Sequence, residues 1–296
     1  MDVLVTGGTG FIGTHLCREL DDRGHDVTAL SRNPGGAGLP SGVETVVGDV
    51  TASDAIADAV DGHDAVVNLV ALSPLFKPKG GNRRHFEVHL GGTENVVEAA
   101  EDAGVEYLLQ LSALGADPDG STAYVRAKGR AEEVVRSSDL AHTVVRPSVV
   151  FGDGGEFVAF TKQLTTPYVT GLPGGGRTRF QPIWVGDLAG MLADAAGEET
   201  HWGETYELGG PEVLTLGDVT RLVYRAEGRS VRVLPVPMPL AGLGMRLADP
   251  LPFVPFGTDQ YRSLKFDNTV ADNDVSAFGV EASELTTLAA YLGVND

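Results

Sequence analysis

The first thirteen residues limit what this chain can fold into more than any other stretch. Val3-Leu4-Val5-Thr6, a β-rich apolar run, leads directly into Gly7-Gly8-Thr9-Gly10-Phe11-Ile12-Gly13, and a helical pattern begins at Phe11 and continues to position 23. A strand, a G-x-x-G-x-x-G turn and a helix in immediate succession open a βαβ unit. Glycines at such a turn let the chain reverse tightly and let backbone N–H groups approach an anion, which also sits at the positive end of the helix dipole. The pattern predicts a dinucleotide pyrophosphate site, with Gly7, Gly10, Phe11, Ile12 and Gly13 as its contacts.

The same alternation continues downstream. Short apolar runs at 26–30, 43–47, 65–70, 107–111 and 143–146 are separated by helical patterns at 52–60, 84–103 and 124–137. Alternation of this kind implies an α/β fold: a doubly wound parallel sheet covered by helices on both faces. Beyond Pro147 the pattern changes. Stretches dense in Gly and Pro, at 152–155, 172–176, 234–239 and 250–255, interleave with helical segments near 187–196 and 216–227. The expected division is a dinucleotide-binding domain over 1–150 and a smaller, mixed α/β substrate lobe over 151–296 packed on it.

Charge narrows the partners. With 22 basic against 41 acidic residues the formal charge is −19, which argues against collecting nucleic-acid phosphates on a basic face. Among the basic residues only five are lysine (Lys77, Lys79, Lys128, Lys162 and Lys265), and self-repulsion of this size points to a halophilic protein in a salt-rich cytoplasm. The single cysteine, Cys17, excludes an internal disulfide and a zinc site of cysteines, and reads as packing in the first helix. No metal is expected. No apolar run reaches the length of a membrane span and no signal-peptide pattern precedes the first strand, so a soluble, cytoplasmic chain is expected.

Position along the sheet suggests which nucleotide binds. After the second strand, where a carboxylate would accept from the adenosine ribose of NAD, the chain carries Ser31-Arg32-Asn33. A guanidinium there favours NADP(H) over NAD(H), through charge-assisted bonds to the 2′-phosphate. Asp49 and Val50, after the third strand, are placed to meet adenine, with helix capping as the alternative for Asp49. Ala71, past the fourth strand, should lie near the nicotinamide ribose through its backbone, and Pro147, past the sixth, should border the nicotinamide.

A candidate catalytic trio follows. Tyr124 and Lys128 are four residues apart at the start of a helical pattern, which stacks them about 6 Å apart along one face. An ammonium beside the phenol, with an oxidised nicotinamide, would favour phenolate and lower the tyrosine's pKa. Lys128 is also placed to hold ribose hydroxyls. Ser112 closes the fifth strand, where its hydroxyl is placed to donate to a carbonyl developing negative charge. Taken singly, each has an ordinary structural reading: loop packing for the tyrosine, a solvated face for the lysine, a cap for the serine.

These residues resemble the short-chain dehydrogenase/reductase superfamily over nearly the whole chain. TGGTGFIG is similar to the glycine motif of its extended and atypical branches, and Ser112, Tyr124 and Lys128 match its catalytic positions. LSALGAD at 111–117, VRPSVVFG at 145–152, PIWVGDL at 182–188, YELGGP at 206–211 and FDN at 266–268 resemble the atypical subgroup that contains the nucleotide-binding accessory subunit of respiratory complex I. The resemblance implies a Rossmann-type sheet and an NAD(P)-dependent oxidoreductase or epimerase acting on a small hydroxyl or carbonyl substrate. It also implies an alternative, a non-catalytic NADPH-binding accessory subunit or sensor peripheral to a membrane complex. Two departures stand out. The loop between Ser112 and Tyr124 is short, and His89 stands where the family's proton relay often has asparagine.

Two segments bear on partners. Lys77, Lys79, Arg83, Arg84 and His85 form a basic cluster suited to an anionic substrate or to cofactor phosphates, or simply to a solvated loop. The apolar, Pro-rich stretch 235–256, with Arg246 and Asp249 in it, suits a cover over the substrate pocket, or a membrane or protein surface. No oligomeric state follows from the sequence.

Overall fold

In the computed structural model, residues 1–248 and 257–294 are described. The chain runs through β1 (Asp2–Thr6), α1 (Phe11–Asp22), β2 (Asp26–Ser31), β3 (Glu44–Val47), α2 (Asp54–Val60), β4 (Ala65–Asn68) and α3 (Arg83–His85). A π-helical turn, Phe86–Gly91, joins α3 without a break to α4 (Gly92–Ala103), so the single helix expected over 84–103 carries a local widening. Then come β5 (Tyr107–Leu111), α5 (Ala123–Ser137), β6 (Ala141–Pro147), β7 (Val150–Phe151), α6 (Phe157–Leu164), β8 (Tyr168–Pro173), β9 (Arg179–Phe180) and β10 (Ile183–Trp184). The remainder is α7 (Val185–Gly197), β11 (Thr205–Leu208), β12 (Leu214–Thr215), α8 (Leu216–Ala226), β13 (Val231–Val236), α9 (Met238–Ala248), α10 (Thr258–Ser263) and α11 (Leu288–Tyr291).

Seven strands form the main sheet, in the order β11-β6-β5-β4-β1-β2-β3. Register is parallel throughout β1 to β6, with Val5 opposite Ala29 on one side and Val67 on the other. Succession runs outward from β1 to β3, then returns to β4 and runs the other way. The doubly wound expectation is met. The reversal opens a crevice beyond the carboxyl ends of β1 and β4, where ligands bind in such sheets. Strands β4 and β5 are buried along their whole length, which is why they read as continuous apolar runs. Leu4, Ile56, Val66, Val96, Leu108 and Val144 share one core cluster, each side chain contributing roughly 1.5–3 kcal/mol by leaving water.

Contacts divide the chain into two compact units. The first comprises 1–72, 82–147 and 185–206, and therefore reclaims a segment beyond the division expected at 150. The reason is packing against the sheet's helical layer: Arg23 binds Asp194 at 2.5 Å and the Gly190 carbonyl at 3.1 Å, and the Tyr107 hydroxyl donates to the Ala195 carbonyl at 2.7 Å. The second unit comprises 73–81, 148–184 and 207–296. Its strands pair as β7 with β10, β9 with β12 and β8 with β13, around a core of Phe151, Phe157, Val219, Val223 and Leu288. Asn268, from the FDN motif, pins this unit by accepting from the Ser148 hydroxyl at 2.8 Å and the Val149 N–H at 2.9 Å. Of the stretch 235–256, positions 249–256 lie outside the described residues. No described helix is long and apolar enough to cross a membrane.

Candidate functional site

The glycine turn is tied into the sheet by its backbone. Gly7 adopts φ +76°, a conformation natural to glycine, while its N–H reaches the Leu30 carbonyl at 2.8 Å. A side chain at Gly13 would collide with the Gly7 carbonyl oxygen and come within 2.7 Å of the Gly8 Cα, so helix and turn approach as closely as backbone allows. Gly10 caps α1 and supplies no side chain, and the N–H groups of Phe11, Ile12 and Gly13 have no acceptor among the described residues. Orphan donors at the positive end of a twelve-residue helix fit a pyrophosphate. Beneath them Cys17 is buried, its Sγ 3.7 Å from the Gly8 carbonyl, and burial pushes its thiol up to about 12. It packs, as expected.

At the exits of β2 and β3 lie the residues expected to face the adenosine half. The Ser31 hydroxyl is buried without a hydrogen-bond partner among the described residues, and Arg32 beside it is exposed. One oxygen of Asp49 accepts from the Thr51 N–H at 3.0 Å and the Thr51 hydroxyl at 2.8 Å. Burial pulls the Asp49 carboxyl upward, but the Thr51 hydrogen bonds and the fields of Arg32 and Arg84 outweigh it and leave the group below its ordinary value. The structure thus brings Arg32 and Asp49 within electrostatic reach and adds Arg84, which the sequence placed in a different cluster. Arg83 and Arg84 both bind Glu87, at 3.0 and 2.9 Å, so that cluster is partly neutralised. Val50 is buried and its carbonyl accepts from Asn95 at 2.8 Å. Ala71 is exposed, and Pro147 is buried with its carbonyl accepting the Leu114 N–H at 3.1 Å.

Helix α5 carries Tyr124 and Lys128, while Ser112 follows β5, and each of the three finds its own neighbours. Thr122 caps the helix by accepting from the Val125 N–H at 3.3 Å. Lys128 is 1% exposed and donates to the Leu111 carbonyl at 2.8 Å. Burial lowers it to about 8, with Glu132 opposing the shift. The Tyr124 ring lies edge-on to His85 and His89, with centroids 5.6 and 5.2 Å away, and its hydroxyl makes no hydrogen bond among the described residues. Burial raises the phenol above its ordinary value, opposite to the lowering expected from Lys128. Ser112 is engaged elsewhere: its hydroxyl donates to Glu132 Oε1 at 2.5 Å.

Glu132 is the residue that sequence reasoning missed. Its carboxylate is 1% exposed and also accepts from Arg146 Nε at 2.9 Å, Arg146 Nη2 at 2.6 Å and Arg136 Nη2 at 2.9 Å. Spacing offered a signal, since 124, 128 and 132 repeat every four residues along one helix face. A second network gave none. The Thr6 hydroxyl donates to Asn68 at 2.7 Å, Asn68 donates to Gln110 at 2.9 Å, and Gln110 donates to the Leu111 carbonyl at 3.2 Å. That chain links β1, β4 and β5 and ends on the atom that Lys128 grips. His89 is buried and neutral: its Nε2 accepts the Leu72 N–H at 2.8 Å, and burial, then Lys128 and His85, hold its pKa well below the ordinary value.

A family profile described as NAD(P)H-binding matches residues 7–169. The mitochondrial NADH dehydrogenase [ubiquinone] 1 alpha subcomplex subunit 9 of Arabidopsis thaliana is 29% identical over 287 residues, covering 91% of this chain and 71% of the relative. The 3 beta-hydroxysteroid dehydrogenase/Delta 5-->4-isomerase of Mycobacterium tuberculosis is 29% identical over 260 residues, covering 77% of this chain and 70% of the relative. Among solved structures, Thermus thermophilus UDP-glucose 4-epimerase in complex with NAD superposes with a TM-score of 0.65 at 25% identity, over 90% of this chain and 98% of that one.

Proposed function

The chain belongs to the NAD(P)H-binding short-chain dehydrogenase/reductase superfamily, and on that premise we propose that it is an NADP(H)-dependent oxidoreductase or epimerase acting on a small hydroxyl or carbonyl compound. The observation that carries this reading is the uncapped amino end of α1 above a turn into which only glycine fits at position 13. Phe11, Ile12 and Gly13 offer their amides to the pyrophosphate, and Ser31 and Arg32 take the adenosine 2′-phosphate. Asp49, with one oxygen still open, accepts from the adenine amino group. Ala71 and Pro147 border the nicotinamide half through backbone atoms. When bound, the nucleotide supplies hydride exchange at its nicotinamide ring.

The chain's own part is binding and proton handling. Tyr124, kept protonated by burial, serves as proton donor to a substrate oxygen in the reducing direction and takes the proton back in the other. Lys128 holds the ribose hydroxyls with the N–H groups that the Leu111 carbonyl leaves open. Arg84, electrostatically coupled to Asp49, favours an anionic substrate or the nucleotide's own phosphates.

Calorimetric titration in concentrated KCl tests the binding step: NADPH is expected to bind more tightly than NADH, and absence of heat with all four nicotinamide nucleotides overturns the reading. A substrate panel tests turnover, which should disappear in Tyr124→Phe. The acidic surface supports a salt-adapted cytoplasmic protein, whose melting temperature should climb between dilute buffer and molar KCl. A flat curve removes that part.

A second reading rests on Ser112. With its hydroxyl spent on Glu132, the position assigned to carbonyl polarisation is occupied, which favours a subunit that holds NADPH without turning it over. Peripheral association with a membrane complex belongs to this reading, in keeping with the relative named as a subunit of NADH dehydrogenase. It predicts tight nucleotide binding, no turnover on any substrate, and co-purification with respiratory subunits.

A further inference from the structure

We propose that Glu132 is the positioning residue of the α5 face: its buried carboxylate, locked by Ser112, Arg136 and Arg146, keeps the Lys128 ammonium charged one helical turn away and fixes the strand end that Lys128 grips. The inference rests on the reading that Lys128 meets the nucleotide, and it concerns how a fully buried lysine remains a cation. An isolated buried ammonium loses far more hydration than one carbonyl contact restores, so without a compensating charge it deprotonates. Lys128 and Glu132 lie four residues apart on α5, about 6 Å along its axis, and both side chains are 1% exposed.

Two guanidiniums also touch Glu132, and exposure decides whether they cancel it. Arg136 and Arg146 have side chains 40% and 22% exposed, against 1% for Glu132, so water screens the arginines while the carboxylate acts on Lys128 through protein. Hydrogen bonds from Arg146 and Ser112 hold the carboxyl below its ordinary value despite a burial effect that would raise it, so it remains an anion. Among the described residues beside it, Tyr124 on the same helix stays protonated, His89 on the π-helical turn is neutral, and His85 lies beside both. The two contacts also act on consecutive residues of β5's exit. Lys128 holds the Leu111 carbonyl and Glu132 holds the Ser112 hydroxyl, so α5 grips the strand end twice.

The chain has only five lysines, which makes the test direct. Protein labelled with [13C]lysine is titrated by NMR without nucleotide, and the Lys128 resonance is assigned by its loss in Lys128→Met. In the wild type it is expected to titrate at about 8. Glu132→Gln, which keeps shape and removes charge, should lower that midpoint by at least about one pH unit and weaken NADPH binding at pH 7.5 about threefold, as the charged fraction falls. Glu132→Asp withdraws the carboxylate by one methylene and should lower the midpoint by less, so it carries the test should the Gln variant fail to fold. A merely structural carboxylate would lower the melting temperature and leave the lysine midpoint in place; an unchanged midpoint in a folded variant overturns the proposal. A wild-type protein that ignores nucleotide sinks the functional reading and leaves the lysine titration to stand or fall by itself.

Discussion

At the amino end of α1 the groups offered to a ligand are backbone N–H donors held by glycine geometry, whereas along α5 they are side chains competing for one another. The first region has few alternatives: the turn is stitched by Gly7 to Leu30 and by Gly10 to Gly7, and a side chain at Gly8 or Gly13 would collide with its neighbours. The second is a set of choices. Lys128 takes a carbonyl, Ser112 takes Glu132, and Tyr124 packs edge-on against two imidazoles that also touch each other. A site made of backbone is specified by local conformation; one made of buried polar side chains is specified by the whole neighbourhood, because each group must find a partner or lose free energy.

That contrast can be broken or sharpened by substitution. The largest effect is expected from Gly13→Val, which drives a side chain into the Gly7 carbonyl. Loss of two or more charge-assisted hydrogen bonds should weaken nucleotide binding by about a hundredfold or more, with unfolding free energy down by about 1–3 kcal/mol. Retained affinity in calorimetry would mean that the anion sits elsewhere. Arg32→Ala should cost NADPH about ten- to a hundredfold in affinity while leaving NADH nearly unchanged, and equal losses for both would reject a 2′-phosphate role.

On the α5 side the expected effects are smaller and differ in kind. Lys128→Met should reduce nucleotide affinity about tenfold yet leave the fold as stable or more so, since a buried charge is replaced by an apolar chain of similar length. Its pH signature has a definite sign. The folded-state value of about 8 lies below the ordinary 10.5, so between these limits the unfolded chain binds more protons than the native one. Wild-type stability should therefore rise relative to Lys128→Met as pH increases from about 8 toward 10.5, which paired thermal melts would show. A parallel pair of curves would mean that burial does not lower the Lys128 pKa. Ser112→Ala should have the least effect, about 1 kcal/mol of stability with nucleotide affinity unchanged, because Glu132 keeps both arginines. A loss of affinity matching that of Lys128→Met would erase the distinction between a strand-end hydroxyl held by Glu132 and a group facing the nucleotide.

Legibility follows the same line. Strand periodicity and the glycine spacing placed β1, α1, β2 and the doubly wound sheet, because apolar patterning and backbone sterics act within a few residues. The helix over 84–103 was legible, but its π-helical turn was not; that widening carries His89, which accepts the Leu72 N–H across a sequence gap of 17. Tyr124 and Lys128 were found from helical spacing, and the same spacing pointed one step further to Glu132. For Tyr124 the sequence showed the nearby ammonium but not the burial, which raises the phenol in the structure without nucleotide. Segment 185–206 was placed with the lobe because its Gly-rich surroundings resemble the lobe, while its ties to Arg23 and Tyr107 exist only in the folded sheet.

By itself, then, the sequence determined the parallel sheet, the turn at Gly7 to Gly13 and the acidic surface, all properties set by neighbours along the chain or by composition. Only the tertiary structure decided which acceptor each buried donor found: that Ser112 answers to Glu132, that Lys128 holds Leu111, and that Thr6, Asn68 and Gln110 run a polar path between strands. The physical reason is desolvation. Once water is removed, a polar side chain is governed by the groups that surround it in space, and those arrive from β1, β4, β5, β6 and α5 together.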